Sequence, residues 1–175
     1  MTTWDQLLER NRVYSETAHV PRPDLRDVKP SPIIIFCCID LRVPIQEFLQ
    51  ISPEEAFVIK NCGGRVKPNL NDLIFMEATQ EGALQNIIVI HHTDCGFTYH
   101  TDNNLRQKLR LKYPNLDDEV DSLSWDTFGS SDRLEESVRE DLRLLKEQKF
   151  IRQDLRDNVK GYVYDIKNGK LKEVV

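Results

Sequence analysis

Along the chain, continuous apolar runs typical of strands alternate with segments whose apolar residues have helical spacing. Residues 33–38 and 87–91 are continuous, β-branched apolar runs, which are typical of parallel strands buried on both faces, and residues 56–60 form a shorter run of this kind. Residues 71–84 follow an asparagine that can cap a helix, and they carry the apolar residues of the crossover helix that parallel neighbours require. These patterns predict three parallel strands of one sheet.

A second segment with helical spacing lies in the C-terminal half of the chain. Asp132 and Glu135 have the spacing of a capping box at a helix N-terminus. Apolar residues then recur on one face of a charged background, at Leu134, Val138, Leu142 and Leu145. We expect this amphipathic helix to lie on the sheet.

The chain closes with the pattern of a β-hairpin. Residues 161–166 resume strand character, Asn168-Gly169 is a strong hairpin turn signal, and residues 171–175 form the returning strand. The predicted fold class is therefore α/β, with a mainly parallel central β-sheet flanked by helices. We expect about four parallel strands plus a C-terminal antiparallel edge hairpin strand.

The N-terminal region has a different pattern. Trp4, Leu7 and Leu8 put apolar side chains on one side of a short predicted helix. Four prolines separate this helix from the first strand, at Pro21, Pro23, Pro30 and Pro32. We expect one domain over residues 1–175, in which residues 1–30 form an N-terminal helical arm that packs on its own domain or on another subunit.

Composition narrows the class of protein. The 175 residues are 39% hydrophobic and 30% charged, which fits one globular domain with a real core. The net charge of −5 and the absence of a basic block argue against nucleic-acid binding. No apolar stretch approaches the roughly 20 residues that span a bilayer, so no membrane partner is expected. The four cysteines lack the spacing of a disulfide framework, which favours a cytoplasmic protein.

Residues with metal-binding chemistry stand where two of the apolar runs stop. Cys38, His92 and Cys95 are ligands of the kind that Zn²⁺ prefers, and three protein ligands leave a fourth position for water, as in catalytic sites. Along an extended chain Cys38, Asp40 and Arg42 point to one face. Asp40 would then lie beside the bound water, and Arg42 would orient the Asp40 carboxylate.

The predicted sheet gives an independent reason for these residues to meet. Sites in open parallel sheets form beyond the carboxyl ends of the strands, where Cys38 and His92 stand. The two segments come together if the first strand lies between the second and the third. Taken singly, a buried cysteine or an Asp–Arg pair is more often structural, whereas the joint pattern favours a metal site.

The chain resembles the β-class carbonic anhydrase family, and its smaller bacterial and fungal members in particular. The resemblance rests on CCIDLRV, AFVIKNCGGRV, IIVIHHTDCGF and GYVYDIKNGKLKEV. It implies Cys38, His92 and Cys95 as zinc ligands and Asp40 with Arg42 as a dyad beside the fourth position. It also implies a homodimer as the minimal unit, or a homotetramer built from it, with N-terminal helices around the neighbouring subunit.

This chemistry suits a small, unactivated electrophile. Our first hypothesis is reversible hydration of CO₂ to bicarbonate and a proton by a zinc-activated water. The alternative keeps the same residues and hydrolyses carbonyl sulfide to CO₂ and H₂S. A further alternative is a non-catalytic structural or regulatory zinc protein with Asp40 on the metal. A thiol redox protein is disfavoured because no CxxC is present.

Overall fold

Five strands form one sheet in the order β2-β1-β3-β4-β5. The computed structural model describes residues 1–80 and 82–175. The strands are β1 (Ile33–Cys38), β2 (Phe57–Asn61), β3 (Asn86–His92), β4 (Val159–Tyr164) and β5 (Leu171–Val174). The first four run parallel and β5 pairs antiparallel with β4, which confirms the predicted fold class. The first strand lies between the second and the third, as the meeting of the two metal-binding segments required.

The central strands carry core residues on both faces. Ile34 and Phe36 of β1 point into the larger core, whereas Ile35 and Cys37 point to the opposite face. This two-sided burial is what an apolar run without polar alternation predicts. The edge strand β2 differs, because its residues are only half-buried or exposed.

Seven α-helices are described: α1 (Trp4–Thr17), α2 (Ile45–Phe48), α3 (Leu70–Thr79), α4 (Asp102–Lys112), α5 (Asp117–Ser122), α6 (Leu134–Glu147) and α7 (Gln153–Asp157). The crossover predicted at residues 71–84 corresponds to α3, which ends five residues earlier than predicted. Residue 81 of the predicted span lies outside the described residues. Asn69 is at the N-cap position of α3, but its side chain makes no capping hydrogen bond.

Helix α6 covers β4 as its amphipathic pattern predicts. It buries Leu134, Val138, Leu142 and Leu145 on one face. The contact is close at Gly161 of β4, where a Cβ atom would overlap Val138 and lie 2.9 Å from Leu142 Cδ1. Only glycine lets the helix approach the strand at this point.

The predicted capping box before α6 is wrong. Residues Ser131–Arg133 form a 3₁₀ turn, so Asp132 lies inside that turn and α6 begins at Leu134. Glu135 instead pairs with Arg139 one turn later and with Lys172 of β5. Glu135 therefore serves ion pairs rather than the predicted cap.

The two ends of the chain match the pattern-based expectations in part. Strand β4 begins two residues before the predicted position, and the turn to β5 closes with hydrogen bonds from Gly169 N to Asp165 O and from Asp165 N to Lys170 O. Helix α1 forms as predicted and begins with a capping box between Thr3 and Gln6. None of its residues is buried. No helix of the described part combines the length and apolar character that crossing a membrane requires.

Candidate metal centre

The predicted metal ligands meet at the carboxyl ends of two adjacent strands. Cys38 is the last residue of β1, His92 is the last residue of β3, and Cys95 follows three positions later. Their candidate ligand atoms all lie within 4.8 Å of one another. All three side chains are buried, with His92 fully inaccessible. The structure therefore brings together the two cysteines and the histidine that the sequence singled out.

A glycine loop packs against this site from the side of β2. The backbones of Gly63 and Gly64 have φ angles of 79° and 74°, which other residues adopt only with strain. A Cβ on Gly64 would lie 2.8 Å from the backbone N of Cys38, and one on Gly63 would lie 2.5 Å from the Phe97 ring. The backbone of the loop thus packs directly against the backbone at Cys38, at a distance that only glycine permits.

The two thiols have the separation expected of ligands to one tetrahedral zinc ion. Cys38 Sγ and Cys95 Sγ are 3.9 Å apart. Two sulfurs, each about 2.3 Å from a tetrahedral ion, are about 3.8 Å apart. The contact with Cys95 lowers the pKa of Cys38, and the same contact raises the pKa of Cys95. A cation bound between the sulfurs would displace the remaining thiol proton.

His92 is oriented with one ring nitrogen towards the thiols. Its Nδ1 lies 2.9 Å from the carbonyl oxygen of Thr93, an arrangement in which Nδ1–H donates and Nε2 carries the lone pair. Nε2 is buried and has no hydrogen-bond partner in the described structure. An unpaired buried nitrogen is costly. The donor set of one imidazole and two thiols therefore fits a zinc ion.

Asp40 stands beside the ligand cluster and is held by Arg42. Asp40 Oδ2 lies 3.9 Å from His92 Nε2. Arg42 donates from Nε to Asp40 Oδ1 at 3.0 Å, and a terminal nitrogen donates to Oδ2 at 2.7 Å. This two-point contact is the chief reason that the pKa of Asp40 falls to about 2. Asp40 is therefore an ionised hydrogen-bond acceptor at neutral pH.

A further contact of Arg42 was not predicted from the sequence. Its remaining terminal nitrogen donates to Asp94 Oδ2 at 2.6 Å. Asp94 lies in the HHTDC segment, but its side chain gave no reason to pair it with a residue 52 positions earlier. The only available signal was its place between the two candidate ligands His92 and Cys95.

A buried polar cluster behind the ligands was also missed. His91 Nε2 lies 3.1 Å from Asp141 Oδ2, and His91 Nδ1 lies 2.8 Å from Ser137 Oγ. The guanidinium of Arg65 donates to the Ser137 carbonyl at 3.0 Å and to Glu140 at 3.2 Å. Burial is the main cause of the lowered pKa of His91. The available signal was Asp141, an acidic residue within the apolar stripe of α6, because a buried acid needs a buried polar or basic partner.

Comparisons with known proteins agree on one family. The family model described as "Carbonic anhydrase" matches residues 33–171. Beta-carbonic anhydrase 1 of Mycobacterium tuberculosis is 31% identical over 177 residues, covering 99% of this chain and 99% of the relative. A carbon disulfide hydrolase of an Acidianus species is 26% identical over 170 residues, covering 85% of this chain and 82% of the relative. A crystal structure of carbonic anhydrase from Streptococcus mutans has a TM-score of 0.77 and 29% identity, covering 100% of this chain and 99% of that one.

Proposed function

Because the chain belongs to the β-class carbonic anhydrase family, a family of enzymes, we propose that it catalyses the reversible hydration of CO₂ to bicarbonate and a proton with a bound zinc ion. The observation that carries the proposal is the buried cluster of Cys38, His92 and Cys95 with an ionised carboxylate beside it. A closed structural site has no need of that carboxylate or of the arginine that fixes it.

Cys38, His92 and Cys95 would hold the zinc ion as its three protein ligands. A zinc ion with three protein ligands supplies a water whose pKa is lowered to about 7, and hence a nucleophile at neutral pH. The thiolates balance the charge of the cation, and the hydrogen bond from His92 Nδ1 to Thr93 keeps Nε2 directed at the thiols.

Asp40 would orient the nucleophile as a hydrogen-bond acceptor. Its carboxylate stays ionised because Arg42 lowers its pKa, so it accepts a hydrogen bond from the water without competing as a donor. An acceptor in a fixed place directs the remaining lone pair of the oxygen towards the substrate carbon. Arg42 itself would act through Asp40.

A second candidate is hydrolysis of carbonyl sulfide or carbon disulfide with the same residues. The observation that favours it is the similarity to two carbon disulfide hydrolases, at 26% and 27% identity. All three substrates are small, linear molecules with an electrophilic carbon. A substrate with sulfur would release sulfide, which is itself a zinc ligand, so such an enzyme must let sulfide leave.

A parallel assay with the three substrates tests both candidates. Zinc-loaded protein would be mixed with CO₂ in a stopped-flow pH-indicator assay, and sulfide release would be followed from carbonyl sulfide and carbon disulfide. We expect CO₂ hydration near neutral pH, its loss on metal removal, and its return with zinc. Sulfide release without CO₂ hydration would favour the second candidate. A zinc-bound protein inactive towards all three would support the structural alternative.

Cysteine variants test the ligand assignment. Cys95→Ser should lose both zinc and turnover, whereas Cys62→Ser should keep both, because Cys62 is exposed and lies outside the ligand cluster. Asp40→Ala should lose turnover and retain zinc. Equal zinc loss in the two cysteine variants would contradict the assignment.

We also propose that the chain forms a homodimer through its N-terminal arm, which can assemble further into a homotetramer. Helix α1 has no buried residue, and it exposes Trp4, Leu7 and Leu8 on one side. The sheet face covered by α2 keeps half-buried apolar residues such as Ile88. An exposed apolar helix face is a common sign of an interface.

We further propose a cytoplasmic location, because the candidate metal centre needs reduced thiols and the cytoplasm keeps cysteines reduced.

Point variants in the complete chain test the dimer. Leu7→Asp combined with Leu8→Asp should shift the sedimentation coefficient from dimer to monomer. Leu111→Asp is the control, since Leu111 is an exposed leucine on a different helix. An unchanged coefficient in the double variant would reject the arm as the interface.

A further inference from the structure

Arg42 is held from two sides, and only one of them is the Asp40 carboxylate. On the other side a terminal nitrogen donates to Asp94 Oδ2 at 2.6 Å, and the other terminal nitrogen donates to the Asp94 carbonyl at 2.9 Å. About half of the Arg42 side chain, 47%, is exposed. An exposed ion pair with a single carboxylate holds a long side chain only weakly. The second carboxylate therefore supplies restraint that Asp40 alone does not.

The direction of the Asp94 carboxylate is itself fixed. Its backbone φ is 58°, in the left-handed region that aspartate tolerates better than most residues. The Tyr99 hydroxyl donates to Asp94 Oδ1, the oxygen that Arg42 does not use. Each oxygen of this carboxylate thus has its own donor.

Tyr99 belongs to the same short turn as the candidate ligand Cys95. The turn Gly96–Thr98 ends at Tyr99, whose N–H donates to Gly96 O at 3.1 Å. The Thr98 hydroxyl donates to Cys95 O at 2.7 Å. Tyr99 and Asp94 therefore tie the Cys95 loop, through Arg42, to the loop that follows Cys38.

We propose that Asp94, held by Tyr99, is a positioning residue that fixes the Arg42 guanidinium and through it the direction of the Asp40 carboxylate. The inference rests on the proposed function, which gives Asp40 its role towards the nucleophile. Asp94 would not touch the substrate. Its contribution is to limit the rotation of Arg42, so that Asp40 stays in its place beside the ligands.

Two conservative variants with matched controls test this role. Asp94→Asn keeps the shape of the side chain and its tolerance of a positive φ but removes the charge, and Tyr99→Phe removes only the hydroxyl. Asp126→Asn is the control for the first, because Asp126 also has a positive φ, 53°, and pairs with a surface base, Lys67, at 2.9 Å. Tyr113→Phe is the control for the second, since Tyr113 is also a partly exposed tyrosine.

Three measurements separate positioning from structural support. We expect Asp94→Asn to lower kcat about 10- to 100-fold, the usual range for groups that orient ligands or their partners, with KM unchanged. Tyr99→Phe should lower kcat by a smaller factor in the same direction. Zinc content should stay at the wild-type value. In ¹⁵N-resolved NMR spectra the Arg42 Nε–H should exchange faster with water in both variants than in their controls.

The inference fails if kcat and Arg42 Nε–H exchange in Asp94→Asn equal those of Asp126→Asn. It also fails if the loss of kcat follows a matching loss of zinc, because Asp94 would then support the ligand loop. Failure of the proposed function looks different, as the wild-type protein itself would not hydrate CO₂. The exchange measurement needs no turnover, so it decides the positioning of Arg42 in that case as well.

Discussion

Two clusters of this molecule each place one arginine between two acidic side chains, but they differ in how far the arginine is exposed to solvent. At the rim of the site, Arg42 lies between Asp40 and Asp94 with 47% of its side chain exposed. Behind the sheet, Arg65 lies between Glu140 and Asp141 with 7% of its side chain exposed. The same arrangement, one arginine between two acids, is thus half exposed in the first cluster and buried in the second.

The difference in solvent decides what each cluster contributes. Charges at the rim are already hydrated, so pairing them stabilises the fold little but sets the direction of side chains. Charges in the interior have lost their water, and each depends on its partners for compensation. We infer that the rim cluster serves the chemistry and that the buried cluster fixes how α6, β3 and the glycine loop fit together.

The largest expected effect on activity comes from the rim. Asp40→Asn should lower kcat by about 10²- to 10⁴-fold, because the proposed acceptor for the nucleophile loses its charge. The free energy of unfolding should change by less than about 2 kcal/mol, since Arg42 is half exposed and the ion pair is screened by solvent. Stopped-flow hydration and urea denaturation of the same sample measure the two quantities. A large loss of stability with retained turnover would reverse the assignment of the two clusters.

The largest expected effect on stability comes from the interior. Asp141→Ala should reduce the free energy of unfolding by about 3–5 kcal/mol, because Arg65 and His91 lose a buried partner. Glu140→Ala is the matched control on the same helix. It is one-third exposed, and its removal leaves Arg65 with Asp141 and the Ser137 carbonyl, so it should cost clearly less than Asp141→Ala. Urea denaturation of both variants measures this. Equal losses of unfolding free energy would contradict the distinction between buried and exposed acids.

A carboxylate outside both clusters gives a smaller effect on acid stability. Burial alone would raise the pKa of Asp102, but hydrogen bonds from the backbone of Thr127 and Trp125 outweigh it and lower the pKa to about 2. The unfolded carboxyl titrates near 3.8, so the unfolded state binds more protons between these two values. This contribution, about 1–2 kcal/mol after screening, is complete above pH 4 and is lost as the pH falls to 2.

The variant Asp102→Asn checks that window. Its unfolding free energy should vary less between pH 4 and pH 2 than that of the wild-type protein. Asp118→Asn, which changes an exposed acid of α5, serves as the control and should keep the wild-type slope. A wild-type slope in Asp102→Asn would show that other groups carry the acid sensitivity.

The sequence predicted those parts of the molecule that depend on local pattern. Strand β1 was predicted to the residue because its six consecutive apolar residues, five of them buried, favour a strand inside the sheet. The Asn168-Gly169 turn was predicted because this residue pair adopts the backbone angles of a hairpin turn. The order of the first three strands was stated only as the condition under which Cys38 and His92 meet, and the sheet has that order. The start of α6 was wrong, because spacing alone does not distinguish a capping box from a 3₁₀ turn.

The parts that could not be predicted are contacts between polar residues far apart in the chain. Arg42 meets Asp94, and Arg65 meets Asp141, only after the sheet has brought β1, β3 and α6 together. Neither pair has a periodic signal in the sequence, because at least one residue of each pair lies in a loop. Asp40 and Arg42 pair as expected, but the reason given for it was wrong: they do not share an extended segment, because β1 ends at Cys38 and Val43 N donates to Asp40 O in a turn.

Zinc K-edge X-ray absorption of the zinc-loaded protein tests the central claim most directly. The account predicts a four-coordinate first shell with two sulfurs at about 2.3 Å and two nitrogen or oxygen ligands at about 2.0–2.1 Å. Cys95→Ser protein forced to bind zinc should show one sulfur fewer. A wild-type shell without two sulfurs would contradict the account, as the ion would not lie between Cys38, His92 and Cys95.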